Sequence, residues 1–202
     1  MAENYMLKET LSYPSLIREV IAPLRAQAQS VLSDEIIRNI DCIYIYGSGD
    51  SLNAAVCAAQ SFWEYAGVPA YPLNAMQASR YAAPCLDRTR AARTLTICIS
   101  NSGETAEMKA TAMAIRNNGC KVIAVTGNPE SWLAQFADAH LLARVDEEGG
   151  PLNRAPRASI IAETWVLQAL SIVLQEKRQI TPQEYVMRHP GGSLGKLREN
   201  EK

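Results

Sequence analysis

Thr94 to Gly119 reads TLTICISNSGETAEMKATAMAIRNNG. Thr94–Ile99 is a run of β-branched and apolar residues, which suits a buried strand. Ser100-Asn-Ser-Gly-Glu-Thr105 is a polar turn. From Ala106 to Asn118 the chain reads as a helix, with Gly119 as its stop. Lys121-Val-Ile-Ala-Val-Thr126 then forms another strand. Strand, turn, helix, strand is a βαβ unit. Such units build parallel sheets through right-handed crossovers, with helices on both faces.

The same alternation extends outward. On the amino side, Asp41–Tyr46 is a strand, Gly47-Ser-Gly-Asp-Ser51 a turn and Leu52–Gly67 an Ala-rich helix. On the carboxyl side, Gly127-Asn-Pro129 is a turn, Glu130–Ala137 a short helix and Ala139–Val145 a further strand. Glu147–Pro156 is a loop, and Ser159–Glu176 is an apolar-periodic segment that reads as a buried helix. Thr181-Pro182-Gln-Glu184 is a capping box that starts a last short helix. The first helix, about Met6 to Leu32, sets Leu16, Val20, Leu24 and Val31 near one face. Ser12 and Pro14 suggest its entry, and Pro23 is expected to end or kink it. The expected organisation is one domain over 1–202: a helical arm to about 39, an α/β core over about 40–180 and a tail over about 181–202.

The 202 residues carry 20 Lys+Arg against 21 Asp+Glu, a net charge of -1, which argues against nucleic acid as a partner. No uninterrupted apolar stretch approaches the roughly 20 residues of a membrane span. The beginning MAENYMLKET lacks a basic-then-apolar signal pattern. Five cysteines (Cys42, Cys57, Cys85, Cys98, Cys120) form no CxxC pair. They read as small buried hydrophobes in a reducing compartment, so the expected location is the cytoplasm. Two histidines, His140 and His189, are too few to suggest a metal, and no cofactor is expected. His140 reads as structural, and Trp63, Trp132 and Trp165 as core or subunit contacts.

The chemistry concentrates in two turns. Gly47–Ser51 and Ser100–Thr105 each join a strand to a helix, and each offers hydroxyls beside free N–H groups at a helix start. That combination suits a phosphate monoester. On neighbouring parallel strands the two turns would face one crevice at the carboxyl edge of the sheet.

These motifs resemble the sugar isomerase (SIS) domain family. SNSGET, GSGDS and VIAVTGNPESWLAQFAD carry the likeness, which spans about Ile40 to Lys196. Glu148-Gly-Gly-Pro-Leu-Asn153 and His189-Pro-Gly-Gly-Ser-Leu-Gly195 are similar to arabinose 5-phosphate isomerases. Met6-Leu-Lys-Glu9, the Gly49-Asp-Ser51 turn and Ser79-Arg-Tyr81 are similar to the isomerase half of glucosamine-6-phosphate synthase and to fructosamine-6-phosphate deglycases.

The resemblance implies a three-layer α-β-α sandwich around a five-stranded parallel sheet, a bound phosphosugar, and sites shared between subunits of a dimer or tetramer. It places Ser100, Asn101, Ser102 and Thr105 on the phosphate, with Ser48 and Ser51 nearby. It makes Glu148 the general base of an enediol step, with Glu147 competing, and His189 a helper in ring opening at a neighbour's site. Glu104 matches the SGE glutamate and is a further catalytic candidate, a rival to Glu148 as the base. The pentose phosphate branch has Lys where this chain has Asp50, and a histidine where this chain has Ser79 or Arg80. Asp50 and Arg80 are therefore further candidate substrate contacts.

Three functions follow from the resemblance. One is a metal-free aldose–ketose isomerase of a sugar phosphate, in which a carboxylate moves a proton between C1 and C2. Another is a deglycase that releases an amine from a fructosamine 6-phosphate, since an acid at position 50 tolerates an ammonium. The third is a phosphosugar-binding protein without turnover.

Overall fold

The structure is a computed structural model that describes residues 4–201. Met1–Glu3 and Lys202, part of the expected domain, lie outside the described residues. Five strands form one parallel sheet: β1 (Cys42–Gly47), β2 (Ala70–Asn74), β3 (Thr94–Ile99), β4 (Lys121–Thr126) and β5 (Ala139–Leu142). Their spatial order is β2-β1-β3-β4-β5. β1 pairs with β2 on one side, Ile45 opposite Pro72, and with β3 on the other, Ile45 opposite Ile97.

Helices cover both faces, as the βαβ alternation requires. One face carries α1 (Tyr5–Val31), α3 (Asp50–Glu64) and α7 (Ala158–Lys177), packed over Ile43, Ile45, Ile97 and Val125. The other carries α4 (Ala75–Gln77), α5 (Ala106–Asn117) and α6 (Trp132–Phe136), packed over Tyr46, Cys98, Val122 and Ala124. Short α2 (Asp34–Asn39) precedes the sheet and α8 (Pro182–Met187) follows it. The expected α/β sandwich with a five-stranded parallel sheet is the observed one.

Local departures have identifiable causes. α1 starts at Tyr5, where the Asn4 side chain accepts from Leu7 N at 3.1 Å, and not at Ser12. It runs through Pro14 and Pro23 without a break. Both prolines face water, so the carbonyls left without a donor can be solvated. On the opposite side Val20, Leu24, Ala28 and Val31 are buried, and this packing outweighs the penalty. β2 was not expected from the sequence. It carries Pro72 and is only partly buried, features of an edge strand. β5 stops at Leu142, whose N–H turns to Gln27 Oε1 at 2.8 Å. Cys57 and Cys85 are exposed, contrary to the reading of all five cysteines as buried. Trp63 and Trp165 are also exposed. His140 lies on β5 opposite Ala124.

α7 is long and apolar enough to cross a bilayer, but here it is a core helix between α1 and α3. Its Val166, Leu167, Leu170 and Leu174 are fully buried. Leu170→Ala should therefore destabilise the protein by about 2–5 kcal/mol, read as a lower urea midpoint with unchanged slope. A change under about 1 kcal/mol would contradict this packing role.

Candidate active site

The turns after β1 and β3 meet where the strand order reverses, the crevice position expected for a ligand in an open α/β sheet. A pocket of about 500 Å³ opens there. Ser48, Asp50 and Ser51 line it from the first turn, Ser100, Asn101, Ser102 and Thr105 from the second, and Glu148 with Ser159 from the third side.

Both helices that point into the pocket lack a side-chain cap. α3 begins at Gly49, whose φ of +54° leads the chain into the helix with no side chain to fill the entrance. α5 begins after Thr105, whose hydroxyl does not cap it. That hydroxyl lies 3.1 Å from Ser100 Oγ instead. In α3 the Ser51 and Leu52 amides already close turns onto Ser48 O and Gly49 O at 3.2 and 3.1 Å, so the Asp50 amide and the first-turn N–H groups of α5 remain for an anion, with the positive ends of both dipoles behind them. Ser48 Oγ is buried and has no hydrogen-bond partner in the protein.

The second turn is tightly built. Ser100 N donates to Val125 O at 3.0 Å, and Ser100 Oγ accepts from Gly103 N at 3.2 Å. Gly103 has φ of +67°, and a Cβ there would collide with the Ser131 side chain. Asn101 O accepts from Gly127 N at 2.9 Å and from Thr126 Oγ1 at 3.1 Å. The Asn101 amide donates to Glu148 Oε1 at 3.2 Å. Ser102 Oγ accepts from Glu104 N at 3.2 Å and stays at the exposed rim.

Glu148 also caps a helix. Its Oε2 accepts from Arg157 N at 3.0 Å and Ser159 N at 3.3 Å, at the start of α7. Its loop is closed by the Gly149–Ala155 bridge and by Glu9 of α1, which accepts from Gly150 N at 2.5 Å. Glu9 also pairs with Arg157 at 2.7 Å. Glu147 points away from the pocket and pairs with Lys8 at 3.5 Å.

Not every candidate residue gathers here. Glu104 lies outside the pocket lining. Its Oε1 accepts from Trp132 N at 2.7 Å, and its Oε2 pairs with Lys109 at 2.5 Å. Lys109 and then the Trp132 amide hold its carboxyl below the usual range. Arg80 sits exposed on a π-helical turn, Ala78–Ala82, away from the pocket. His189 lies 3.1 Å from Glu64, at the far end of α3, and stacks on Tyr185. α3 has 15 residues, so that end is about 20 Å from the pocket at 1.5 Å per residue. The Tyr185 carbonyl, which takes a hydrogen bond at 3.0 Å, raises the His189 pKa, with Glu64 adding to the effect.

One residue went unnoticed in the sequence. Glu163, 1% exposed, sits on α7 behind Ser51, whose hydroxyl donates to its Oε1 at 3.1 Å. Burial first, then Glu148 and Asp50, push its carboxyl up to about 8, against the opposing bond from Ser51. The available signal was a lone acid at a core position of an apolar helix.

The SIS domain family matches residues 36–173. This chain belongs to the SIS domain family. Arabinose 5-phosphate isomerase KdsD of Pseudomonas aeruginosa is 42% identical over 100 residues, 50% of this chain and 31% of that protein. The chain thus spans about a third of the length of that curated relative in the match. Escherichia coli CFT073 c3406, solved in complex with a sugar phosphate, has a TM-score of 0.76 at 25% identity over 93% of this chain and 100% of that one. The C-terminal domain of glucosamine-fructose-6-phosphate aminotransferase from Francisella tularensis shares the fold, with a TM-score of 0.69 at 21% identity over 92% of this chain and 51% of that one. The first branch seen in the motifs is matched by sequence, and the likeness to the second is one of fold alone.

Glu163 makes stability depend on pH. A carboxyl raised in the folded state stabilises fully below its unfolded value and loses that contribution as pH rises through the folded one. Here the window runs from about 4.5 to about 8. Wild-type stability should fall across this window relative to Glu163→Gln, by an order of a few kcal/mol. Parallel urea melts at pH 5 and pH 8.5 read the difference; equal gaps at both would refute it.

Proposed function

We propose that this chain is a phosphosugar aldose–ketose isomerase. The observation that supports it is the convergence of two serine-rich, uncapped helix starts with Glu148 on one pocket. In this reading Ser48, Ser51, Ser100, Asn101, Ser102 and Thr105, with the Asp50 amide and the first-turn amides of α5, hold the phosphate. Neutral donors and helix dipoles suffice for a dianion without a basic stripe. Glu148 takes the proton from C2 of the open aldose and returns it to C1, while the proton of the C2 hydroxyl passes to the C1 oxygen through the enediol between them. Its two backbone bonds fix the carboxylate's direction, and no metal takes part. Glu104 and Arg80 lie outside the pocket lining and take no direct part in this reading.

His189 reaches no substrate in its own chain's pocket. Its proposed part in ring opening therefore belongs to the site of a second copy, which makes the active enzyme a homo-oligomer with shared sites. Mixing Glu148→Gln with His189→Ala subunits tests this. Mixed dimers hold one intact site, so random assembly should restore about a quarter of wild-type activity. No recovery would show that the residues do not serve across subunits.

A specific observation favours a second reading. Asp50 opens α3 on the pocket wall, where a carboxylate accommodates an ammonium. A deglycase acting on a fructosamine 6-phosphate fits that placement. NMR of a panel of sugar phosphates and fructosamine phosphates separates the two. New ketose or aldose without free amine is expected for the isomerase, and released amine for the deglycase; binding without conversion refutes both. Glu148→Gln should lower kcat by about 10²–10⁴-fold. Unchanged turnover would remove Glu148 as the base.

A further inference from the structure

Glu163 has no part in the chemistry above, yet it is the most deeply buried acid beside the pocket. Its Oε1 contacts Ser51 Oγ, and its Oε2 is closed to solvent with no hydrogen-bond partner in the protein. One turn earlier on α7, Ser159 Oγ is closed to solvent, likewise unpartnered, and lies on the pocket wall. This side of the pocket therefore holds two polar groups with unused hydrogen-bonding capacity, which an apolar wall would not need.

The charges around Glu163 can be accounted for by element. α3 brings Asp50, and the loop before α7 brings Glu148 and also Arg154, which lines the pocket. α1 brings Glu9, which is taken up by Arg157 and the Gly150 amide. β4 has its one charge, Lys121, at the opposite edge of the sheet. Neither Arg154 nor any Lys is among the groups that act on the Glu163 carboxyl, and Arg157 is taken up by Glu9.

We propose that Glu163 is a positioning residue that sets the direction of the Ser51 hydroxyl toward the substrate phosphate. The inference rests on the reading of this pocket as a phosphosugar site. A hydroxyl has one proton and two lone pairs. When Glu163 is neutral it donates to Ser51 Oγ, and the Ser51 proton is free for a phosphate oxygen. When Glu163 is ionised it accepts the Ser51 proton. The pocket then meets the phosphate with lone pairs, and with a further negative charge behind them. Phosphate binding and Glu163 ionisation thus oppose each other, and by linkage each shifts the other equally. Since burial pushes the carboxyl up to about 8, the switch falls just above neutral pH, where a phosphate monoester is already a dianion.

The test is calorimetric binding of arabinose 5-phosphate and fructose 6-phosphate from pH 7 to 9.5. For the wild type, Kd should hold steady to about pH 8 and rise about tenfold by pH 9.5, an order-of-magnitude figure for coupling of this kind. Glu163→Gln presents an amide donor to Ser51 at every pH, so its Kd should stay level. Ser51→Ala should shrink the rise to what charge repulsion alone produces. A wild-type rise that Glu163→Gln shares overturns the inference and leaves the phosphosugar reading intact. No binding of either sugar at any pH overturns both. If the Gln variant fails to fold, the carboxyl ¹³C shift of Glu163 in the wild type decides. Its titration midpoint should move up when the sugar phosphate binds, and an unmoved midpoint overturns the proposal.

Discussion

Parallel pairing of β1 with β3 is the constraint on which the rest of the molecule depends. The chain leaves β1 toward β2 on one side and leaves β3 toward β4 on the other. These two crossovers therefore run over opposite faces of the sheet, and the turns that start them open away from each other at the carboxyl edge. Ser48–Ser51 and Ser100–Thr105 come together for that topological reason, without any direct bond between the turns. The apolar faces below them, Ile43, Ile45, Ile97 and Ile99 on one side and Tyr46 and Cys98 on the other, keep the strands in register. Two dipoles then point at one small volume with no side chain of the protein's own to cap them.

The pocket sets two demands on carboxylates against each other. Glu148 receives two amides at the start of α7 and one from Asn101, so its position is fixed by bonds that also terminate a helix. A helix cap asks for a carboxylate that cannot swing, and the base proposed for Glu148 would ask for the same. Glu163 shows the opposite arrangement, one hydroxyl contact and deep burial, and its proton is correspondingly hard to remove. Asp50 lies between these extremes, with Asn53 donating to its Oδ1 at 3.2 Å. Three acids around a single pocket thus differ in solvent and in donors, which is how one type of side chain takes different roles.

Much of the fold was legible because buried parallel strands leave plain signals. β3 and β4 fall on the residues expected, since both are continuous apolar runs between polar turns. β2 was not legible: Tyr71-Pro72 interrupts the pattern, and an edge strand needs burial on fewer sides. The α1 prolines misled because local backbone rules say nothing of the long apolar seam against α7. The serine turns and Glu148 were readable from motif and resemblance. Glu104 was given weight by its place in SNSGET, but Lys109 and the Trp132 amide, which engage it, follow it on later turns and elements. Glu163 was masked by the very periodicity that identified its helix. The role proposed for His189 depends on a neighbour, and a single chain's sequence does not encode where a neighbour sits.

The clasp of Glu9 on Gly150 joins residues 141 positions apart. The two serine turns come from the middle of the chain, but the wall that carries Glu148 is held by both of its outer thirds. During synthesis the first helix can rest on β5, but its main seam stays open until α7 has emerged. A partly made chain therefore has the two serine turns before it has Glu148 opposite them. The pocket is completed late, by long-range closure, and its assembly reports on the folding of the whole chain.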